Sequence, residues 1–186
     1  MKSLAVRELS IPGLYVIELP VFPDQRGSFK ENYQQEKLTA LGLPQVQFVQ
    51  NNVAVNHDRG VTRGLHAEPW NKLFSLATGS AFGAWVDVRQ GETYGRIETL
   101  KLTPEIAIFS EPGIACGYQT LEENVVGIYL VDDFWKPETA QPGINLFDPT
   151  LKISWPIAKE RAIVSDKDLA NPLFADLPPI VKKEPK

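Results

Sequence analysis

At residues 60–66 the chain reads Gly60-Val61-Thr62-Arg63-Gly64-Leu65-His66, a β-type stretch that carries one of the two histidines in the protein. Strand alternation would point Leu65 to one face and both Gly64 and His66 to the other. A histidine on the inner face of a β-scaffold, with Arg63 at the strand entrance, suits proton abstraction from an anionic substrate. A buried histidine that only makes structural hydrogen bonds is the competing interpretation.

Short β-rich runs on both sides of this stretch alternate with turns that contain Gly, Pro, Asn and Asp. The runs predicted to be strands are Leu14 to Leu19, Phe48 to Val55, Leu73 to Ala77, Ala81 to Val88, Ile97 to Leu102, Ala107 to Phe109 and Val125 to Val131. Such regular spacing favours a β-sandwich or jelly roll over repeated βαβ units. The sequence therefore predicts an all-β, cupin-like jelly roll.

Two short helices are expected to flank the sheets. The first is predicted from Glu31 to Leu41, with Gly42 at its C-cap. The second is predicted near Asp166 to Ala170, because Asn171-Pro172 blocks its extension.

Composition limits the class of protein. With 186 residues and a net charge of −4, the chain fits one domain over residues 1–186, with residues from about 177 onward frayed. The charge lacks the basic excess that nucleic-acid binding needs, and no apolar run reaches bilayer length. The single cysteine excludes an intramolecular disulfide and fits a reducing compartment. We therefore expect a soluble, cytoplasmic protein that binds neither nucleic acid nor membrane.

A metal site is not predicted. Metal-binding cupins need several histidines and a carboxylate that converge on one ion. Here His57 lies in a predicted turn, which leaves His66, and Cys116 can add only a thiolate to it. One histidine and one cysteine make a poor site, so we expect neither a metal nor another cofactor.

Acid–base chemistry remains, and the residue types for it are present. His66 can act as the base if Asp166 or Asp168 holds its Nδ1–H while Nε2 faces the substrate. The alternative for these carboxylates is a solvated acidic helix start. Tyr129, on an apolar strand, can donate a proton or make a structural hydrogen bond. Lys72 can stabilise an oxyanion or lie on the surface.

The order of motifs along the chain is more informative than any single motif. The segments in question are Phe22-Pro23-Asp24-Gln25-Arg26-Gly27-Ser28-Phe29-Lys30-Glu31, Gln50-Asn51-Asn52, Val61-Thr62-Arg63-Gly64-Leu65-His66, Val86-Asp87-Val88-Arg89, Thr93-Tyr94-Gly95, Pro112-Gly113-Ile114-Ala115-Cys116-Gly117, Ile128-Tyr129, Asp148-Pro149, Ile153-Ser154-Trp155-Pro156 and Ser165-Asp166-Lys167-Asp168. With this ordered set, from about residue 10 to residue 174, the chain resembles the dTDP-4-dehydrorhamnose 3,5-epimerase family.

The resemblance implies a metal-free jelly roll, usually a homodimer that exchanges strands between protomers. It implies epimerisation of dTDP-4-dehydro-6-deoxy-D-glucose at C3 and C5 to dTDP-4-dehydro-L-rhamnose. By position, His66 matches the family's base and Asp168 the carboxylate paired with it. Tyr129 matches the acid on the opposite face, and Lys72 the lysine near the C4 oxygen.

Other positions match residues that bind the sugar nucleotide. By resemblance these are Arg26 and Arg63 at the diphosphate or sugar nucleotide, Glu31, Gln50 and Asn52 around the nucleotide and its linkage, Lys167 at the substrate, and Trp135 where an aromatic residue stacks on thymine. An arginine suits a diphosphate because its planar guanidinium binds two oxygens at once.

The chain also departs from the family pattern. Cys116 stands where a histidine is common, and Pro142 stands where an acidic residue is expected. After His66, the run Ala67-Glu68-Pro69-Trp70 resembles a known branch of the family, in place of the commoner aromatic-Gln pair. These departures keep a single-centre epimerase (C3 or C5 only) as the alternative within the class. Outside it, a non-catalytic sugar-nucleotide-binding cupin and a metal-dependent cupin oxygenase remain.

Overall fold

Antiparallel β-strands form nearly all of the regular structure. The computed structural model describes residues 3–134 and 143–181. The strands are β1 (Ala5–Glu8), β2 (Leu14–Glu18), β3 (Val21–Asp24), β4 (Gly27–Lys30), β5 (Gln50–Asn56), β6 (Thr62–His66), β7 (Lys72–Thr78), β8 (Ala81–Asp87), β9 (Ile97–Leu102), β10 (Ile106–Ser110), β11 (Ile114–Thr120) and β12 (Val125–Val131). The helices are α1 (Gln35–Ala40) and α2 (Asp166–Leu169), with 3-10 turns at Lys159–Arg161 and Phe174–Asp176.

Two sheets face each other, and a hairpin stands beside them. The larger sheet has the order β1-β2-β10-β7-β12-β5, and the smaller has the order β6-β11-β8-β9. Strands β3 and β4 form the separate two-stranded hairpin. The predicted all-β, cupin-like jelly roll with short helices is confirmed.

One apolar cluster fills the space between the two sheets, and a further cluster covers the outer face of each sheet. Between the sheets, Leu76 and Ile108 pack with Trp85 and Leu102. Helix α1 covers the outer face of the larger sheet through Leu38, which is 2% exposed. Because β8 is covered on both faces, nearly all of its residues are buried, and its sequence reads as an unbroken apolar run.

The C-terminal segment (residues 143–181) covers the outer face of the smaller sheet. Ile144 and Leu146 pack there against Leu65. Backbone hydrogen bonds fix the segment to β6 at both ends, between Ile144 and Leu65 and between Thr62 and Ile163. This pairing carries α2 to the edge of the smaller sheet beside β6.

The strands predicted from the sequence are all present, with ends within two residues of the prediction. Strands β1, β3, β4 and β11 were not predicted. In β11, Ala115, Cys116 and Gly117 have weak strand propensity, and pairing with β6 and β8 on either side determines the conformation instead. At Ile180, within the region expected to fray, the backbone N–H donates to the Val88 carbonyl at 2.8 Å; residues 182–186 lie outside the described part.

The predicted Glu31–Leu41 helix is shorter than expected. It begins at Gln35 because extended Gln34 caps it, with the Gln34 side chain accepting from Lys37 N–H at 2.6 Å. Leu41, rather than Gly42, is the C-cap residue, and Gly42 follows it with φ +99°. The second helix agrees with its prediction to within one residue. No helix in the described ranges is long and apolar enough to cross a membrane.

A buried ion pair fixes the end of β8. Arg89, 6% exposed, donates through Nε and Nη2 to the two carboxylate oxygens of Asp87, each at 2.8 Å. Thr93 Oγ1 donates to the same carboxylate at 2.6 Å. Burial raises the pKa of Asp87, but the hydrogen bonds from Arg89 and Thr93 outweigh it, so the pKa lies below its usual value of 3.8.

Replacing Arg89 with methionine is expected to lower the free energy of unfolding by about 3–5 kcal/mol, because Asp87 is then left buried without its partner. Urea titration measures the change, with exposed Arg7→Met as the matched control. Since the folded-state pKa of Asp87 is lowered, its contribution is complete above pH 3.8 and is lost as the pH falls through the folded value. Equal effects of the two variants would contradict a stabilising role for the pair.

Candidate active site

A cavity of about 170 Å³ lies between the two sheets. The larger sheet contributes the side chains of Lys72, Phe74 and Tyr129, and the smaller contributes those of His66, Trp85 and Cys116. The other lining residues are Ala54, Arg63, Glu68, Leu102, Ile108, Ser110, Gly117, Tyr118 and Asp168. The walls are therefore largely apolar, and a few ionisable groups converge on one space, as is typical of a small-molecule site.

His66 and Asp168 are hydrogen bonded. His66 Nε2 lies 2.8 Å from Asp168 Oδ1, and Gly64 N–H donates to the other carboxylate oxygen at 3.3 Å. Asp168 is 5% exposed, whereas the His66 side chain keeps 37% of its exposure. Burial raises the pKa of Asp168, but the hydrogen bonds from His66 and Gly64 lower it more, so the net pKa lies below its usual value. The Asp168 carboxylate therefore stays charged beside the His66 imidazole, which remains accessible.

Two points of the sequence prediction change at this pair. Of the two candidate carboxylates, Asp168 contacts His66, while Asp166 lies on the exposed side of α2. The nitrogen bound to Asp168 is Nε2, not the predicted Nδ1, so Nδ1 is the nitrogen turned away from the carboxylate. The difference arises because α2 approaches the imidazole from the C-terminal segment, along the edge of β6.

A β-bulge brings Arg63 and His66 to the same cavity. In β6, Arg63 pairs with Tyr118 and His66 with Cys116, so three steps on β6 match two on β11. The two backbones approach closely at this point: a Cβ on Gly117 would lie 2.8 Å from the Arg63 carbonyl oxygen. In a regular strand, the side chains of Arg63 and His66 would point to opposite faces. The extra residue of the bulge brings both to the same face.

Tyr129 lies on β12, in the sheet opposite His66. Its register partners are Phe74 on β7 and Asn52 on β5. Burial raises the pKa of Tyr129, and although the charge of Lys72 opposes this, the net pKa is above its usual value of 10.0. Tyr129 is therefore a protonated phenol at neutral pH and is able to donate a proton.

The Lys72 side chain is 12% exposed and lines the cavity from the start of β7, rather than lying on the surface. Its ammonium lies 5.1 Å from the centre of the Tyr129 ring and 3.5 Å from Cys116 Sγ, and it forms an ion pair with Glu68. Burial lowers the pKa of Lys72, but Cys116 and Glu68 raise it more, so the net pKa is above its usual value. The cavity thus holds one ammonium group that stays charged.

Arg63 lies at the rim, and polar residues line the wall beside it. Arg63 Nε donates to Asn56 Oδ1 at 2.9 Å, and the Tyr118 hydroxyl donates to the same oxygen at 3.3 Å. Gln50 and Asn52 lie on the face of β5 that also carries Ala54 of the cavity lining, and Gln50 Nε2 donates to Asn52 Oδ1 at 2.8 Å. These groups mark a polar path from the cavity along β5.

Arg26, Glu31 and Lys167 do not line the cavity of the same chain. Arg26 is 89% exposed in the turn between β3 and β4 and pairs with Asp24. Glu31 pairs with Lys37 at 2.9 Å, and Lys167 is exposed on α2 next to Asp168. Trp135 lies outside the described residues. The sequence reasoning had not singled out Tyr118 or Phe74, although Tyr118 is two residues from Cys116 on β11 and shares its face.

The described residues contain no group of three or more His, Cys, Asp and Glu side chains that could hold a metal ion. His57 follows β5 in a loop, outside the cavity lining, as its predicted turn implies.

Comparison with known proteins identifies the family to which this chain belongs. Residues 8–176 match the family described as dTDP-4-dehydrorhamnose 3,5-epimerase. The chain belongs to this family. The match to the 3,5-epimerase family covers the smaller sheet, the larger sheet from β2 onward, the cavity lining and α2.

Individual members of the family agree with this. A protein named RmlC homolog from Streptococcus pyogenes is 42% identical over 98% of this chain and 96% of its own length. A dTDP-4-dehydrorhamnose 3,5-epimerase from Pseudomonas aeruginosa is 37% identical over 90% of this chain and 94% of its own.

Solved structures of epimerases show the same fold. RmlC from Streptococcus suis, in complex with dTDP-D-xylose, has a TM-score of 0.91 and 41% identity, covering 97% of this chain and 96% of that one. ChmJ from Streptomyces bikiniensis, a 3'-monoepimerase in complex with dTDP-quinovose, has a TM-score of 0.82 and 28% identity, covering 91% and 87%. The fold of this family thus carries both double- and single-centre epimerases.

Proposed function

We propose that this protein epimerises dTDP-4-dehydro-6-deoxy-D-glucose at C3 and C5 to give dTDP-4-dehydro-L-rhamnose. The observation that carries the proposal is one cavity in which a carboxylate-bound His66 and a protonated Tyr129 come from opposite sheets. The dTDP-sugars bound to related proteins support the substrate class.

The chemistry begins at the ketone. The C4 carbonyl acidifies the C–H bonds at C3 and C5, because the carbanion is delocalised onto its oxygen as an enolate. His66 takes the proton, and Asp168 stabilises the imidazolium that forms. Lys72 donates a charge-assisted hydrogen bond to the enolate oxygen. His66 and Asp168 then act as the base, and Lys72 as the oxyanion group.

Inversion requires a proton on the other face of the ring. Tyr129 lies in the sheet opposite His66, and its raised pKa keeps the O–H bond intact until the enolate forms. Tyr129 gives its proton to carbon. His66 then releases its proton to water and Tyr129 takes one from water, which resets both groups before the second centre is inverted. Each step moves only a proton, so we propose that no metal or cofactor takes part; metal analysis of active purified protein tests this.

Arg63 and the residues along β5 are proposed to bind the rest of the substrate. Arg63 stands at the rim, where its guanidinium is available to a diphosphate. Gln50 and Asn52 continue the polar path from there. Trp135 and Lys167 are proposed to contact the thymine and the substrate.

We propose that the protein acts as a homodimer in which the β3–β4 hairpin of one protomer completes the site of its partner. The hairpin presents a cross-strand pair of exposed aromatics, Phe22 (45%) and Phe29 (71%). Edge strand β5 presents Val53 and Val55, which are 60% and 50% exposed. Apolar surface of this kind next to an unpaired edge favours association, and Arg26 in the hairpin turn would then act in trans.

Coexpression of Arg26→Ala with His66→Ala is expected to restore activity. Each variant alone should be nearly inactive, but a mixed dimer has one site with both residues intact. Random pairing makes half of the dimers mixed, so recovery should be about one quarter of the wild-type activity. Differently tagged chains allow the mixed dimer to be purified and assayed. A fully active monomer in sedimentation, or a mixed dimer without activity, would refute action in trans.

The similarity to the 3'-monoepimerase ChmJ favours one second candidate, epimerisation at a single centre. Proton NMR of the product formed from dTDP-4-dehydro-6-deoxy-D-glucose separates the two, because ring coupling constants report the configuration at C3 and at C5. The proposal predicts the L-rhamno configuration. Inversion at one centre would support the second candidate, and the absence of conversion would exclude both.

A further inference from the structure

Two residues of the cavity lining meet at one amino group. Glu68 belongs to the run Ala67-Glu68-Pro69-Trp70, and Cys116 stands where the family resemblance leads us to expect a histidine. In the folded chain, Lys72 Nζ contacts both: it forms an ion pair with the Glu68 carboxylate and lies 3.5 Å from Cys116 Sγ. Glu68 and Cys116 are 48 positions apart in sequence, yet both contact the same ammonium.

Glu68 and Cys116 together determine the charge next to Lys72. Burial raises the pKa of the Cys116 thiol, so Cys116 is neutral at neutral pH and adds no positive charge. Tyr129, the other titratable group against Lys72, is also neutral. Glu68 is therefore the anion in contact with the ammonium, whereas His66 and Asp168 line the same cavity as a separate pair.

The geometry suits a fixed rather than a fluctuating pair. The Lys72 and Glu68 side chains are 12% and 24% exposed. The Glu68 carbonyl accepts a hydrogen bond from Gly113 N–H at 3.2 Å, which holds the backbone of the loop between β6 and β7. Trp70, 5% exposed, anchors the same loop.

We infer that Glu68 is a positioning residue, which holds the Lys72 ammonium in the cavity where it meets the C4 oxygen of the substrate. Cys116 complements it by leaving the other side of the ammonium neutral. The inference rests on the proposed function for the role of Lys72, but the ion pair itself can be tested without substrate.

The first arm of the test is NMR titration of protein labelled with ¹³C at lysine Cε, with Lys72→Arg to assign the signal. In Glu68→Gln, the pKa of Lys72 is expected to fall by about two, because the Glu68 carboxylate no longer helps Cys116 to oppose the effect of burial. Glu122→Gln is the matched control; Glu122 bonds Ser80 outside the cavity lining and should leave Lys72 unchanged. Glu68→Ala, predicted to behave as Glu68→Gln, is measured beside it so that one misfolded variant does not decide the result.

The second arm is the pH profile of turnover. In Glu68→Gln, kcat should fall about tenfold at neutral pH, and activity should be lost at lower alkaline pH than in the wild type, with KM little changed. Glu68→Asp should restore the alkaline limb. An unchanged Lys72 pKa in the first arm would overturn the inference whether or not the protein turns over substrate. A shifted pKa with a wild-type pH profile would overturn the positioning role, and absence of turnover in the wild type would reject the proposed function instead.

Discussion

His66→Ala is expected to lower kcat by about 10²–10⁴-fold while leaving the affinity for dTDP within a few-fold of the wild type. In the proposed mechanism the imidazole removes the proton, and His66 is the histidine of the described cavity lining, held there by a buried carboxylate. Nucleotide affinity should survive, because the arginines and the residues along β5 are proposed to bind that part of the substrate. Turnover and calorimetric binding of dTDP measure the two effects.

The chain supplies its own control for this variant. His57 is the other histidine and lies in the loop after β5, outside the cavity lining. His57→Ala should retain wild-type turnover. If His66→Ala kept more than about one tenth of the wild-type kcat, a general base would have to be sought elsewhere.

Tyr129→Phe is expected to separate hydrogen exchange from inversion. His66 can remove a proton and return it to its own face without Tyr129, whereas delivery to the opposite face needs the phenol. In D₂O, the variant should exchange C3 or C5 hydrogen but form little L-configured product, at least about 10²-fold less than the wild type. Lys72→Ala should instead depress exchange and inversion together, because the enolate itself loses its stabilisation.

Tyr94→Phe is the matched control for the phenol. Tyr94 stacks on Phe174 at the C-terminal segment and is not part of the cavity lining. It should exchange and invert as the wild type does. Inversion of both centres by Tyr129→Phe at the wild-type rate would mean that another residue or an ordered water is the acid.

The strands could be predicted from the sequence because each is a local pattern. The ends of β9 and β12, for example, follow from apolar runs between turn residues. Strand β11 could not be predicted in this way, since its conformation depends on two neighbouring strands. The early start expected for α1 failed for a local reason, because the Gln34 side chain caps the helix four residues later than the periodicity suggests.

In the candidate site, too, some features could be predicted and others depend on contacts between distant parts of the chain. The pairing of His66 with Asp168 joins residues 102 apart and was expected from the family resemblance, not from spacing. The nitrogen that contacts Asp168 depends on how α2 approaches β6, which no strand pattern contains. The bulge that turns Arg63 toward His66, and the meeting of Glu68 with Cys116 at Lys72, likewise arise from pairing between strands. The role proposed for Arg26 requires the proposed partner chain, which no pattern within a single chain contains.

The central claim is that one cavity transfers protons at both C3 and C5, and it is tested most directly by the deuterium content of the product. The wild-type protein is incubated with dTDP-4-dehydro-6-deoxy-D-glucose in D₂O, and the product is analysed by proton NMR and mass spectrometry. We expect an L-configured sugar with one solvent deuterium at C3 and one at C5, and no such product from His66→Ala. Inversion without deuterium, or double inversion by His66→Ala at the wild-type rate, would contradict it.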